Sequence, residues 1–120
     1  MKLFVGGSRK GFSKEMVHKE LNTLYPDGEG VEKLLSGGAC GVDKFAEDWA
    51  AKNGVPVKIL KAQWGKYGKS AGVLRTRRLL KEAEFVVLFW DGQSKGTGHT
   101  IDMCTEFGLD HSIYFSRVKD

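Results

Sequence analysis

Residues 36–43 read SGGACGVD, and they join an apolar run that ends at Leu35 to a segment with helical spacing. Three glycines in five positions are typical of a strand-to-helix turn that a ligand can approach, because glycine carries no Cβ. The helix that follows presents unpaired N–H groups and the positive end of its dipole at its first turn. The stretch therefore predicts a strand–turn–helix unit with a site for phosphate or another anion.

The rest of the chain repeats this alternation of short apolar runs and helical spacings. The pattern predicts strands over residues 3–5, 31–35, 55–60, 85–90 and 113–115. It predicts helices after a cap at Ser13, over residues 42–52 and 71–83, and from Ile101 to a stop at Gly108. Five strands interleaved with four helices favour one Rossmann-like, doubly wound α/β domain over residues 1–120. Its five-stranded parallel sheet has helices on both faces.

Two of these segments carry further detail. The run Phe85–Trp90 is continuously apolar, which is typical of a strand buried on both faces. In the helix over residues 71–83, the inward positions are predicted to be Val73, Leu74, Leu79, Leu80 and Ala83.

The composition is that of an ordinary soluble domain, with 41% hydrophobic and 28% charged residues in a chain of 120. No apolar run approaches the roughly 20 residues needed to span a bilayer, and no secretory signal pattern opens the chain. We therefore expect a cytoplasmic protein without a membrane partner. The net charge of +4 favours an anionic partner without identifying it.

The cysteines and histidines do not indicate a metal or a disulfide framework. Cys40 and Cys104 are too few for such a framework, and we expect both to be reduced and semi-buried. His18, His99 and His111 have no spacing typical of a metal site. No metal or cofactor is therefore predicted, and His99 is a candidate for contact with a ligand.

Four loops, three of them rich in glycine, follow the predicted strands at their carboxyl ends, where doubly wound sheets bind ligands. They span residues 6–9, 37–43, 61–70 and 90–98. The second loop lacks the lysine of a P-loop and does not match Gly-x-Gly-x-x-Gly. Simple nucleoside-triphosphate hydrolysis and standard dinucleotide binding are therefore poorly supported.

Several side chains in these loops suit a phosphorylated ligand. Ser8 and Arg9 supply donors for phosphate or carboxylate, with a strand-ending turn as the alternative. Asp43 either caps the helix that follows it or accepts from a ribose hydroxyl, and we favour the cap. Arg75 and Arg78 lie three apart on one helix and share a face, which indicates an anion site rather than ordinary solvation.

The loop from Trp90 to Gly98 is the second strong signal. Ser94, Thr97 and nearby backbone N–H groups are suited to hold a phosphate, and Asp91 to accept from a sugar hydroxyl or act as a base. A structural loop with Thr97 as a cap is the alternative. Asp91 is the candidate for catalysis, and the predicted ligand-binding residues are Gly7, Ser8, Arg9, Gly37, Gly38, Ala39, Gly41, Val42, Asp43, Trp64, Arg75, Arg78, Trp90, Asp91, Ser94, Gly96 and Thr97.

In this order along nearly the whole chain, these motifs resemble the YspA-like branch of the SLOG superfamily. The resemblance implies a Rossmann-like fold, a nucleotide-derived ligand and a homodimer or higher homo-oligomer. It also implies that the protein senses or processes such a ligand, as many proteins of this superfamily are proposed to do, often in phage or bacterial conflict systems. The motifs are Gly7-Ser8-Arg9, Gly37-Gly38-Ala39 with Gly41-Val42-Asp43, Trp64 with Tyr67-Gly68 and Ala71-Gly72, Arg75, and Phe89-Trp90-Asp91-Gly92 with Ser94 and Gly96-Thr97.

The resemblance supports ligand binding better than it supports catalysis. The LOG phosphoribohydrolases of the superfamily follow their Gly-Thr with a glutamate, whereas Gly98, His99 and Thr100 stand here. The resemblance thus implies a nucleotide-binding protein, such as a sensor, in which Trp90 or Trp64 stacks on the base. The alternatives are a phosphoribohydrolase-like enzyme and, less favoured, a nucleic-acid-binding module related to DNA-processing protein A.

Overall fold

A computed structural model describes residues 1–115, in which strands and helices alternate along the chain. Two one-turn 3₁₀ segments lie at Pro26–Gly28 and Gly68–Ser70. The strands and helices in chain order are β1 (Lys2–Gly7), α1 (Lys14–Leu24), β2 (Lys33–Ser36), α2 (Val42–Lys52), β3 (Val57–Ile59), α3 (Trp64–Tyr67), α4 (Ala71–Leu80), β4 (Phe85–Trp90), α5 (Lys95–Phe107) and β5 (His111–Phe115).

The five strands form one sheet in the order β3-β2-β1-β4-β5, and every pairing is parallel. In the central pairs, Leu3 lies opposite Leu34 of β2, and Gly7 lies opposite Phe89 of β4. The chain runs outward from β1 to β3 and then returns to the other side of β1 to form β4. The loops after β1 and β4 therefore diverge at the carboxyl edge of the sheet, which is where such folds open a crevice.

Helices cover both faces of the sheet, so the predicted doubly wound architecture is confirmed. On one face, Leu3 and Val5 of β1 pack with buried residues of α1 and α2, including the fully buried Trp49. On the other face, Phe4 and Leu88 pack with buried residues of α4 and α5. Successive residues of β1 point to opposite faces because strand side chains alternate, and both of those faces are buried here.

Local capping follows the sequence at two helix ends. The Ser13 hydroxyl accepts a hydrogen bond from the Met16 N–H at 3.1 Å, which confirms the predicted start of α1. Gly108 takes the left-handed conformation at the end of α5, with φ of 65°, as predicted.

Several predicted boundaries were wrong. Helix α4 ends at Leu80, and Leu74, predicted to point inward, is exposed. The polar stretch over residues 61–70 contains the one-turn helix α3 and a 3₁₀ turn. Strands β2 and β3 are displaced or shorter than the runs over residues 31–35 and 55–60.

The boundary that bears most on function is the start of α5. The helix begins at Lys95, so Gly96, Thr97 and Gly98 belong to its first turn and not to the preceding loop. Ser94 occupies the N-cap position, and its side chain makes no capping hydrogen bond. Thr97 therefore does not cap the helix.

Candidate functional site

A cleft of about 550 Å³ opens at the carboxyl edge of the sheet, at the point where the strand order reverses. Its walls come from the loops after β1, β2 and β4 and from the first turns of α2, α4 and α5. Its floor is apolar, formed by Phe4, Leu88 and Met103, which belong to the buried layer between the sheet and α4–α5. The topology thus brings together loops that are far apart in the sequence.

Most of the predicted ligand-binding residues line this cleft. They are Gly7, Arg9, Gly37, Ala39, Asp43, Trp64, Arg75, Asp91, Ser94, Gly96 and Thr97. The remaining predicted residues lie outside its lining, namely Ser8, Gly38, Gly41, Val42, Arg78 and Trp90. Val42 is fully buried in the core, and Ser8, though only 2% exposed, links the loops behind the cleft.

The charged side chains of the cleft are mostly basic. Its acidic side chains are Asp43 and Asp91, and its basic side chains are Arg9, Lys10, Lys69, Arg75 and Lys95. The excess of positive charge in a concave site raises the local concentration of anions.

Asp43 does not cap α2, so the favoured sequence prediction for this residue was wrong. Gly41 occupies the N-cap position without a side-chain cap, and the Asp43 carboxylate folds back to accept from the Ala39 N–H at 3.2 Å. The side chain is only 6% exposed. The local loop geometry offers the carboxylate an amide of the preceding turn, which competes with the capping position.

Burial raises the pKa of Asp43 to about 6, because a carboxylate loses hydration when it is removed from water. The Ala39 N–H, the positive charge of Arg75 and the Gly7 N–H act in the opposite direction, whereas Glu47 adds to the increase. The net result is a carboxyl group in the cleft that changes charge close to neutral pH.

Arg75 supports the glycine loop from the opposite side. Its Nη1 donates to the Gly37 carbonyl at 2.6 Å, and its Nε donates to the Thr76 hydroxyl at 3.3 Å. A Cβ on Gly37 would lie 2.5 Å from Nη1, so a larger residue at this position would displace the guanidinium. Burial lowers the pKa of Arg75, Asp43 raises it, and the nearby Arg9 lowers it further.

Asp91 is held by the loop that it begins. Its Oδ1 accepts from the Gln93 and Ser94 N–H groups, both at 2.8 Å, and its own N–H donates to the Ser8 hydroxyl at 3.0 Å. The Ser94 and Gln93 N–H groups stabilise the carboxylate and hold the pKa of Asp91 below its usual value. A lowered pKa makes Asp91 a weak base, and its catalytic role stays a prediction.

The start of α5 combines several donors for an anion. The hydroxyls of Ser94 and Thr97 lie 3.4 Å apart, and Lys95 and Gly96 line the cleft beside them. The side chain of Ser94, at the N-cap position, makes no capping hydrogen bond, and the first turn of α5 borders the cleft with its N–H groups and the positive end of the dipole.

The two tryptophans differ in their freedom to contact a ligand. Trp64 is 56% exposed at the cleft edge, and its ring closely approaches Gly72. Trp90 donates from its indole Nε1 to the Ser94 carbonyl at 3.0 Å and packs against Phe115, with ring centroids 5.9 Å apart. Of the two, Trp64 therefore has the more accessible ring.

The arginines of α4 border two openings. Arg78, predicted to share a site with Arg75, lines a second groove with Lys61 and Tyr67, and Arg75 lines both that groove and the cleft. Arg77 pairs with Glu106 at 3.3 Å. Spacing of three residues placed Arg75 and Arg78 on one helix face, but that face extends beyond the cleft.

Sequence reasoning missed several residues of the cleft. Lys10 and Lys95 are adjacent to predicted residues, and the buried Thr76 follows Arg75 directly. Thr100, one helical turn beyond Gly96, also lines the cleft, and its hydroxyl donates to the Gly96 carbonyl at 3.0 Å. A helical period applied from residue 95 would have found Thr100. His99, a sequence candidate, lines the cleft as well.

The cysteines do not share the semi-buried environment that the sequence suggested. Cys40 is exposed, whereas Cys104 is buried and burial raises the pKa of its thiol to about 11. Within residues 1–115, no group of three or more His, Cys, Asp or Glu side chains is arranged to hold a metal ion. In the same range, none of the helices has the length and apolar character needed to cross a membrane.

The sequence of the chain is similar to those of known proteins. The chain is 33% identical over 82 residues to the Gene 61 protein of Mycobacterium phage D29, an alignment that covers 63% of this chain and 66% of the phage protein. The match thus spans slightly less than two thirds of the phage protein's length. No solved structure matches the chain significantly. The sequence profile of the YspA, cpYpsA-related SLOG family (YAcAr) matches residues 1–67, more than half of the chain, and the chain therefore belongs to that family.

Proposed function

We propose that this protein binds a nucleotide or a nucleotide-derived ligand in the cleft at the carboxyl edge of its sheet, as a sensor. Membership of the SLOG family is consistent with a nucleotide-related ligand. The observation that carries the proposal is the basic wall around an apolar floor, with the uncapped start of α5 at its side. Phosphate suits the basic wall, and a base suits the apolar floor and Trp64.

The proposal assigns the phosphate to the start of α5. Ser94, Thr97 and the first-turn N–H groups supply neutral donors, and Lys95 supplies a positive charge. Arg9 and Lys10 extend the positive charge along the loop after β1. Among residues 1–115, none of these three basic side chains forms an ion pair with an acidic group of the cleft, so their charges are available to a ligand.

Calorimetric titration with nucleoside 5′-monophosphates tests the proposal against the matching unphosphorylated nucleosides. We expect binding of at least one monophosphate, no binding of its nucleoside, and weaker binding as salt is added. Lys95→Gln should weaken binding about threefold, in line with one exposed charge near a helix start.

Lys19→Gln is the matched control, because Lys19 is an exposed lysine of α1 outside the cleft. The control should bind as the wild type does. Absence of binding by every nucleoside monophosphate would refute the proposal.

A hydrolytic function is the second candidate, and one observation favours it. The pKa of Asp43 near 6, inside the cleft, lies in the range that suits a general acid. Asp91, whose pKa is lowered, is less suited to that role. Chromatography would detect free base released from nucleoside monophosphates, and loss of that release in Asp43→Asn but not in Asp91→Asn would assign the acid.

A further inference from the structure

Backbone N–H groups of the glycine loop after β2 donate to side chains at the two ends of that loop. The Gly38 N–H donates to the Ser36 hydroxyl at 3.2 Å, and the Ala39 N–H donates to the Asp43 carboxylate at 3.2 Å. The Ser36 hydroxyl in turn donates to Glu47 at 2.7 Å. Amides that would cradle an external anion in a phosphate loop are therefore already bonded to oxygen atoms of the protein.

The same loop places a negative charge at the cleft. Asp43 lines the cleft while only 6% exposed, and an ionised carboxylate there repels a phosphate. The Asp91 carboxylate lies at the start of α5, but it is exposed, so water screens its charge more than that of the buried Asp43. Phosphate is therefore better placed at the start of α5, beside Lys95, and groups that donate hydrogen bonds are better placed at the Asp43 wall.

The carboxylate of Asp43 retains capacity to accept. Two carboxylate oxygens offer about four acceptor positions, and the Ala39 and Gly7 N–H groups use two of them. Arg75 stands next to it and donates to Gly37 and Thr76, which leaves other guanidinium N–H groups for a ligand oxygen. A carboxylate beside a guanidinium matches a pair of neighbouring hydroxyls, each of which both donates and accepts.

Building on the nucleotide-binding function above, we propose that Asp43, positioned next to Arg75, accepts hydrogen bonds from the cis-diol of the ligand's ribose. Asp43 thereby selects ribonucleotides over 2′-deoxyribonucleotides. A deoxy ligand forms one hydrogen bond fewer with this largely buried carboxylate, which weakens its binding. Sites that hydrogen-bond a substrate hydroxyl reject the analogue that lacks it for this reason.

The experiment compares ribonucleoside 5′-monophosphates with their 2′-deoxy counterparts by calorimetry at pH 8. We expect the wild-type protein to bind the ribonucleotide at least about tenfold more tightly. Asp43→Asn should bring the two affinities to within about threefold of each other, because the amide presents one acceptor oxygen in place of two. Asp48→Asn, a change of the same kind at a partly exposed residue of α2 outside the cleft, should keep the wild-type ratio.

The outcomes separate this inference from the proposed function. Equal affinity of the wild type for both members of each pair overturns the ribose assignment and leaves nucleotide binding in place. A tenfold preference that survives in Asp43→Asn overturns the assignment to Asp43. Absence of binding by every nucleotide overturns both proposals. The wild-type comparison needs no variant, so it decides the sugar preference by itself.

Discussion

Asp43→Asn is expected to stabilise the folded protein by about 3 kcal/mol at pH 8, because it removes a buried charge without changing the side-chain shape. The pKa of Asp43 rises from an ordinary value of 3.8 to about 6 in the folded protein. That difference corresponds to about 3 kcal/mol of penalty on the ionised form. Asparagine avoids this penalty and retains an oxygen for the Ala39 N–H.

The effect has a defined pH dependence. Between about pH 4 and pH 6, the folded protein holds a proton on Asp43 that the unfolded chain has already released. The stability contributed by this group is therefore greatest at low pH and falls as pH rises through that window. At pH 4 the variant and the wild type should differ by less than about 1 kcal/mol, since the carboxyl is protonated and neutral.

Urea unfolding of both proteins at pH 4 and pH 8 measures the prediction. Asp48→Asn is the control, because the partly exposed Asp48 forms ion pairs only with Lys14 and Lys44 among the described residues and should change stability little at either pH. A destabilised Asp43→Asn at pH 8 would contradict the pKa assigned to Asp43. A stabilised variant that has lost ribose preference would show an exchange of stability for function.

Gly7→Ala is expected to destabilise the fold by about 3 kcal/mol or more, since there is no space for a side chain at this point of the sheet. A Cβ on Gly7 would lie 2.3 Å from the Phe89 carbonyl oxygen, which belongs to the paired strand β4. Backbone atoms of a central strand pair cannot rotate away as a flexible side chain can. The variant must separate β1 from β4 at the point where the cleft opens.

The free energy of unfolding from urea titration measures this loss, and ligand binding should fall with it. Gly65→Ala is the matched control, because a Cβ added to Gly65, in the short helix α3, would meet no described atom within 4 Å. The control should be neutral or slightly more stable, by up to about 1 kcal/mol. A Gly7→Ala protein as stable as the control would contradict the packing described at Gly7.

The architecture could be predicted because short apolar runs, typical of buried strands, alternate clearly along the sequence with apolar residues at helical spacing. The apolar run of β4 is buried on both faces and needs no partner to be recognised as a central strand. Ser13 and Gly108 mark two helix ends by mechanisms that act locally. The single domain over residues 1–120 and the homodimer stay predictions, and residues 116–120 lie outside the described part of the chain.

The details that escaped prediction depend on contacts between distant segments. Gly96 and Gly98 disfavour a helix on intrinsic propensity, yet α5 begins at Lys95 as it packs on the sheet. Arg75 lines both the cleft and the groove beside it, whereas Arg78 lines the groove and not the cleft, and helical spacing does not show where the cleft ends. The hydrogen bond from the Ala39 N–H to the Asp43 carboxylate depends on the conformation of the loop, which the spacing of residues does not specify.

Backbone amide shifts in a nuclear magnetic resonance titration with adenosine 5′-monophosphate test the central claim most directly. The same titration is repeated with the guanosine, cytidine and uridine monophosphates. We predict that at least one of them shifts amides in the loops after β1 and β2 and in the first turns of α5, over residues 7–10, 37–43 and 94–100. Shifts confined to the groove of Lys61, Tyr67 and Arg78, or no shifts with any of the four, would contradict nucleotide binding in the cleft.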